Sequence, residues 1–510
     1  MSLIPFFLLL VLSLNLIKKW KKKKKGSNEM KKLPPGPWKL PIIGNLHQLM
    51  GSLPHHAITK LAQKHGDLMH LQLGEVSAIV ASSPRTAKAI LKTNDLAFAD
   101  RLDCLVGEII VDNSLDIAFA PYGEYWRQMR KICTSELLNN KMVRSLSSIR
   151  QDEALNLVSS IREEALLHPK QGINLTKKVS SYTSSMVCRA AFGRAFGRHY
   201  QDKLIEIQKE VLVLTSGFDV SDVFPSWKTL HHLSLMKPKL RRLRDRIDEI
   251  FDIVIQAHVK NPSGRNGEFG QEDLIDVLLR IKQTGGDLHF PLTNSSIRAL
   301  ILDIFLGGTE SSTATVEWAM AELMRNPRIM AKAQCEIRKV LSPEQETIEE
   351  KDIQELSYLQ LVIKETLRLH PPGPFLIPRN NREQCEIDGY IIPLKTRAIV
   401  NAWAIGRDPN YWDDPEIFKP ERFENNPINF TGSDYEYLPF GGGRRMCPGI
   451  SFGLANVEVP LAYLLYNFDW RLPEDVENIG FDMEETYGLT ATKKNNLFLV
   501  ASKYETLGKP

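Results

Sequence analysis

The sequence predicts one large domain, mainly α with a small β region, carried behind a short membrane-anchoring N-terminus. Three observations predict it. The chain has 510 residues, 43% of them hydrophobic, too long and too apolar for a disulfide-stapled scaffold or a disordered protein, so it must bury a large core. From about residue 150 to 350 the apolar residues recur at three and four, as in Leu274, Val277, Leu278 and Ile281, the period of packed helices. Short runs such as Ala78-Ile79-Val80-Ala81 and Leu497-Phe498-Leu499-Val500 lie near the two ends and mark the small amount of sheet.

Residues 1–17 are almost wholly apolar, and residues 18–32 follow with Lys18, Lys19 and Lys21 to Lys25 around Trp20. Apolar first and basic second is the reverse of a cleaved signal peptide. The order predicts a membrane anchor over 1–17 and a basic stop-transfer segment over 18–32 that keeps the following chain cytosolic. At about 1.5 Å per residue the apolar run covers about 22 Å of a roughly 30 Å hydrocarbon core, so spanning asks for snorkelling lysines or a thinned bilayer. A single spanning anchor is preferred to a surface-lying helix. The sequons at Asn174, Asn294 and Asn429 are then expected to stay unmodified.

Nine Lys and one Glu give residues 1–32 a charge of +8 against +4 for the whole chain, which leaves −4 for the remainder. No basic face is implied for the folded part, which excludes nucleic-acid binding. The six Cys, at 104, 133, 188, 335, 385 and 447, form no CxxC pair, which argues against a disulfide framework or a zinc site. Residues 33–45, with Pro34, Pro35, Pro37 and Pro41, predict a stiff extended hinge between membrane and domain. Residues 46–510 follow as one unit, with a surface loop near 260–272.

The most informative segment is Phe440-Gly441-Gly442-Gly443-Arg444-Arg445-Met446-Cys447-Pro448-Gly449, followed by a helical pattern from Ile450 towards Tyr466. A cysteine just before a helix start lies among backbone amides and the positive dipole end, which favour the thiolate that ligates a metal. The glycines permit close approach of a flat cofactor, and Arg445 offers a cation to an acidic group on it.

With Phe440, Gly443, Arg445, Cys447 and Gly449 at these spacings, the segment resembles the heme-binding loop of the cytochromes P450. Three further signatures occur in the family's order, so the resemblance covers nearly the whole chain. Glu365-Thr366-Leu367-Arg368 and Pro420-Glu421-Arg422-Phe423 are two of them. Taken alone, Glu365 and Arg368 at i,i+3 would be a surface pair worth under about 1 kcal/mol. By resemblance they form a buried structural triad with Arg422 that fixes the loop bearing Cys447. In Trp126-Arg127-Gln128-Met129-Arg130, Trp126 and Arg130 share a helix face, and the family implies that they approach the heme propionates together with Arg379 and Arg445.

A helix is predicted from Thr293 or Asn294 through Phe305 and Leu306 into Gly307-Gly308-Thr309-Glu310-Ser311-Ser312. Two glycines interrupt an apolar helix at about 1 kcal/mol each, which suggests room for a ligand or a local distortion. By resemblance this is the oxygen-activating helix, with Glu310 as the acid and Ser311 where a Thr is usual. Gly307 replaces a commoner Ala. Phe305, Leu306, Gly307, Leu376 and Ile377 are the expected apolar pocket.

The resemblance implies a P450 fold and a heme-thiolate monooxygenase. Cys447 would ligate heme b iron, and Glu310 and Ser311 would pass protons while O2 is split. The chain has no Gly-x-Gly-x-x-Gly after a strand, since Gly441-x-Gly443 runs on to Met446, and no Walker loop, so electrons must come from a partner. For a membrane-anchored member that partner is NADPH–cytochrome P450 reductase, which makes NADPH an indirect cofactor. Leu33-Pro34-Pro35-Gly36-Pro37 and Phe119 to Cys133 look like the plant microsomal group of specialised metabolism, which implies a single-pass protein of the endoplasmic reticulum membrane with a cytosolic catalytic domain. Within that group the chain is most similar to terpenoid hydroxylases, with a small apolar sesqui- or diterpenoid substrate; alkaloids and phenylpropanoids are the alternatives. A heme-thiolate isomerase or dehydratase would usually alter the acid–hydroxyl pair that Glu310 and Ser311 preserve in kind.

Overall fold

Where apolar residues recur at helical spacing, long helices form. The computed structural model describes residues 33–102, 104–193, 197–214, 220–227, 236–260, 272–285, 288–341, 347–474, 481–486 and 488–504. The predicted anchor and stop-transfer segment lie outside these, as does most of the 260–272 loop. Among the described residues no helix is long and apolar enough to cross a membrane.

Five helices position the site: α1 (Glu124–Ile132), α2 (Leu175–Phe192), α3 (Asn294–Arg325), α4 (Ser357–Leu369) and α5 (Ile450–Asn467). Thr293 caps α3, its side chain accepting from the Ser296 amide at 3.1 Å. α3 packs against α2, α4 and α5 and runs through two hydrophobic cores. Its first half, Ile297 to Phe305, belongs to one, and Ala314 to Leu323 belong to the other. Gly307 and Gly308 sit between them.

The main sheet has four strands, β1 (Leu68–Leu73), β2 (Val76–Ala81), β3 (Arg379–Asn380) and β4 (Arg397–Val400), in the order β1-β2-β4-β3. β1 and β2 form a hairpin, and β2 runs parallel to β4 with Ala78 opposite Arg397. Most of the helical domain is therefore a crossover between two neighbouring strands. The second predicted run becomes Phe498–Lys503, paired with Phe468–Arg471.

The proline segment is extended but is no free spacer. It lies along β1, where the His70 amide donates to the Pro35 carbonyl at 2.8 Å and Asn45 exchanges bonds with the Gln72 backbone at 2.6 and 2.7 Å. A Cβ on Gly36 would stand 2.1 Å from the His70 oxygen, so only glycine permits this approach.

Glu365 and Arg368 on α4 are fully buried. Arg368 grips both carboxylate oxygens of Glu365, Nε to Oε2 at 2.7 Å and Nη2 to Oε1 at 2.8 Å. Arg422 Nε and the Lys419 amide donate to the same Oε1 at 2.9 and 2.7 Å. The remaining donors of Arg368 take the carbonyls of Gly406, Pro415 and Ile417. Removing one member leaves the others buried and unbalanced, so Arg368→Ala is expected to destabilise by about 3–5 kcal/mol. A urea midpoint within error of wild type would contradict this account.

Candidate active site

The loop before α5 presents Cys447. Its amide donates to the Phe440 carbonyl and the Met446 amide to that of Gly443, both at 3.0 Å, which closes a tight double turn. Gly443 has φ +66°, and a Cβ there would meet the Leu91 oxygen at 2.1 Å, so this corner accepts only glycine. The Gly449 amide donates to Cys447 Sγ at 3.4 Å. The thiolate expected from the helix start is not favoured by local forces alone. Burial pushes the thiol up, and the Gly449 N–H and the Arg130 charge only partly oppose it.

Cys447 lies deep in the protein yet is exposed, because it faces an interior cavity of about 380 Å³. α3 supplies one wall with Asp303, Leu306, Gly307, Gly308 and Ser311. Leu376 and Ile377 supply another, and Leu376 is held at φ +53°, a left-handed conformation unusual for a leucine. Val106, Ile110 and Asp116 close one side and Leu489 and Thr490 another.

Four guanidiniums gather at one end. Arg445 lies 4.3 Å over the Trp126 ring and donates to the carbonyls of Ala99, Ile117 and Ala120. Arg379 pairs with Asp95 at 3.1 Å and donates to the Gly442 carbonyl at 2.7 Å. Arg101 holds the carbonyls of Ala118, Ile377 and Pro378. Among the described residues the Arg130 guanidinium has no hydrogen-bond or ion-pair partner, and it lines the cavity with the other three. Burial pulls all four below the ordinary arginine range, Arg445 to about 10.

The structure thus brings Trp126, Arg130, Arg379, Phe440, Arg445, Cys447, Gly449, Leu306, Gly307, Ser311, Leu376 and Ile377 to one cavity. Three expected residues stand elsewhere. Phe305 is buried in the core on the far side of α3. Gly443 shapes the turn without facing the cavity. Glu310 points away, accepting from Gln208 Nε2 at 3.3 Å, with burial raising its carboxyl. Ser311 Oγ donates to the Gly307 carbonyl at 2.6 Å. The sequence reading missed Arg101, Asp116, Asp303 and Ser312. The buried Ser312 hydroxyl lines the cavity and has no hydrogen-bond partner among the described residues.

A family model described as Cytochrome P450 matches residues 34–500. The chain is a cytochrome P450. It is 54% identical to premnaspirodiene oxygenase of Hyoscyamus muticus, over 99% of this chain and 98% of that protein. Its identity to tabersonine 3-oxygenase of Catharanthus roseus is also 54%, over 94% of each. A zebra fish cytochrome P450 solved with progesterone shares the fold at a TM-score of 0.75 and 22% identity, covering 89% of this chain and all of that one.

Cytochromes P450 use heme iron, and the residues here fit it. A sulfur donor opens onto the cavity, and cations, one of them unpartnered, wait at one end for the acidic edge of the group. Cys447→Ala is expected to abolish the red-shifted Soret band of the ferrous carbon monoxide complex; a retained band would refute the ligand.

The two glycines of α3 differ in purpose. A Cβ on Gly308 would meet Phe452 at 3.2 Å and Val187 at 3.4 Å, whereas one on Gly307 meets nothing within 4 Å. Gly308→Ala should therefore lower thermal stability by about 1–3 kcal/mol through overpacking. Gly307→Ala should fold like wild type and change product distribution by filling cavity space; equal stability losses in the two variants would sink this distinction.

Proposed function

We propose that this monooxygenase hydroxylates an apolar plant terpenoid, a sesqui- or diterpenoid, with electrons from NADPH delivered by NADPH–cytochrome P450 reductase. We assign residues 1–17 the role of a single-pass anchor in the endoplasmic reticulum membrane and 18–32 that of its basic stop-transfer segment, with the catalytic domain in the cytosol. The cavity carries the substrate reading: away from the guanidiniums its walls are Val106, Ile110, Leu306, Leu376 and Leu489. A relative named for the oxygenation of a terpenoid hydrocarbon, matched from end to end, supports it. Equal identity to the tabersonine enzyme supports an alkaloid as second reading.

Heme, when held by Cys447, would supply the oxygen activation that, with two electrons from the reductase and two protons, puts one atom of O2 into a C–H bond and releases the other as water. The chain's own work is to orient and to move protons. The apolar walls hold a hydrocarbon skeleton by area alone, at roughly 25 cal/mol per Å² buried, and exclude bulk water. Leu306 and the open face at Gly307 let a ring approach the reactive end. Ser311 Oγ is the proton-holding atom at the wall: it donates to the Gly307 carbonyl and can turn its hydrogen inward. Glu310, kept protonatable by burial and bonded to Gln208, is a reserve behind the wall.

Microsomes holding this protein and the reductase, fed terpenes and alkaloids with mass spectrometry of products, test the assignment. Products from terpenes that require NADPH and O2 are expected, and turnover of alkaloids alone would replace the first reading by the second. Ser311→Ala should raise hydrogen peroxide released per NADPH consumed several-fold; unchanged coupling would place proton delivery elsewhere.

A further inference from the structure

Asp116 and Asp303 are two carboxyl groups in hydrogen-bond contact, and both line the substrate cavity. Each has one side occupied. Asp303 Oδ2 accepts from the amides of Ile117 and Ala118 at 2.7 and 3.4 Å, and Asp116 Oδ2 from that of Phe119 at 3.1 Å. Asp116 is wholly buried, and its Oδ1 has no hydrogen-bond partner among the described residues. Two carboxylates in contact cannot both stay ionised in such a place.

We infer that Asp116 and Asp303 share one proton across their contact, and that the cavity-facing edge of the Asp303 carboxyl accepts a hydrogen bond from a hydroxyl of the substrate. The preferred substrate is then an oxygenated terpenoid, not the bare hydrocarbon. This rests on the terpenoid reading and narrows it.

Four observations carry the inference. Burial, and then each other's presence, raises Asp303 well above the usual carboxylate range, and burial raises Asp116. The other titratable groups facing the pair, Tyr125, Cys133 and Cys104, are pushed up to about 12, about 12 and about 11 and stay neutral, while Arg101 and Arg445 compensate a single negative charge. Asp303, Gly307 and Ser311 follow at i, i+4 and i+8 on one face of α3, so the carboxyl stands about 6 Å along the helix from the open position at Gly307. That is the width of a small ring system: a hydroxyl on Asp303 would leave a distal carbon beside the gap. Finally, the pair is not alone in holding its loop. Asp112, in the same segment, pairs with Arg298 of α3 at 2.5 Å and with Arg244 at 2.6 Å.

Infrared difference spectroscopy of the heme-loaded enzyme tests the proton. A carboxylic C=O band near neutral pH, shifted in D2O and lost in both Asp116→Asn and Asp303→Asn, is expected; its absence from wild type, or its survival in both variants, overturns the shared proton. Optical titration tests the anchor, using a sesquiterpene hydrocarbon and its monohydroxylated derivative as probes. Asp303→Asn keeps an acceptor for the loop amides but replaces a charged acceptor by a neutral one. The wild-type preference for the alcohol should fall about tenfold in this variant. An unchanged ratio, or no wild-type preference, overturns the anchor. If neither probe shifts the wild-type spectrum, the terpenoid reading itself fails, and the infrared band still decides the proton.

Discussion

Glu365 carries a charge where water does not reach, and the chain around it is arranged so that this charge is never alone. Two guanidiniums answer it, and their spare donors take the carbonyls of Gly406, Asp413, Asp414, Pro415 and Ile417. That stretch has little regular structure, so its carbonyls must find donors elsewhere. The consequence travels. Arg368 stands 5.3 Å over Trp412, whose ring meets Tyr437 and Phe423. Tyr437 donates to the Lys364 carbonyl of α4 at 2.8 Å and touches Phe430, which packs on Phe440. Phe440 in turn accepts the Cys447 amide. A buried ion cluster on one helix thus sets the place of a sulfur on a distant loop.

α3 makes the space opposite that sulfur. Each half of the helix is claimed by a different core, and between them the usual demand for close packing lapses at one residue only. Gly308 is small because Phe452 and Val187 press on it; Gly307 is small with nothing beside it. The hydroxyls of Thr309, Ser311, Thr313 and Thr315 each bond back to the carbonyl four residues earlier, a pattern that bends helices slightly and softens the ladder near the gap. The cavity is polar at the guanidinium end and apolar at Val106, Ile110, Leu306 and Leu489, so a flat amphipathic occupant has one favoured orientation.

Much of this was legible because its causes are local. Periodicity marks the helices, Thr293 marks the start of α3, and the glycine loop marks Cys447. Trp126 and Arg130 reach the cavity together because four residues make one turn. The same geometry could have corrected two expectations. If Ser311 faces the cavity, then Gly307 and Asp303 face it too; Glu310, turned by about 100°, does not, and Phe305 falls on the opposite side. Asp303 was thus available from the helical period. Asp116 was not, since nothing in its own segment says that it meets Asp303. Arg101 was equally silent, because it is placed by carbonyls of residues distant in sequence. The Cys447 thiol misled for the same reason: the helix dipole is written locally, while the opposing burial is a property of the whole fold.

Burial also explains why sulfur and arginines stand in one chamber. It raises the Cys447 thiol and lowers Arg101, Arg130, Arg379 and Arg445, opposing the anion and the cations alike. A neutral ligand would relieve neither, and a simple anion only the second. A group with a metal cation at its centre and carboxylates at its edge relieves both, since a coordinated thiol is deprotonated outright and carboxylates keep guanidiniums charged. Both relief terms are differences between bound and unbound chain, so they add to folding stability as well as to affinity. A bound heme would therefore couple the two halves of the site beyond the charge of Arg130 that already acts on Cys447, and changes at the arginine end should be felt at the sulfur.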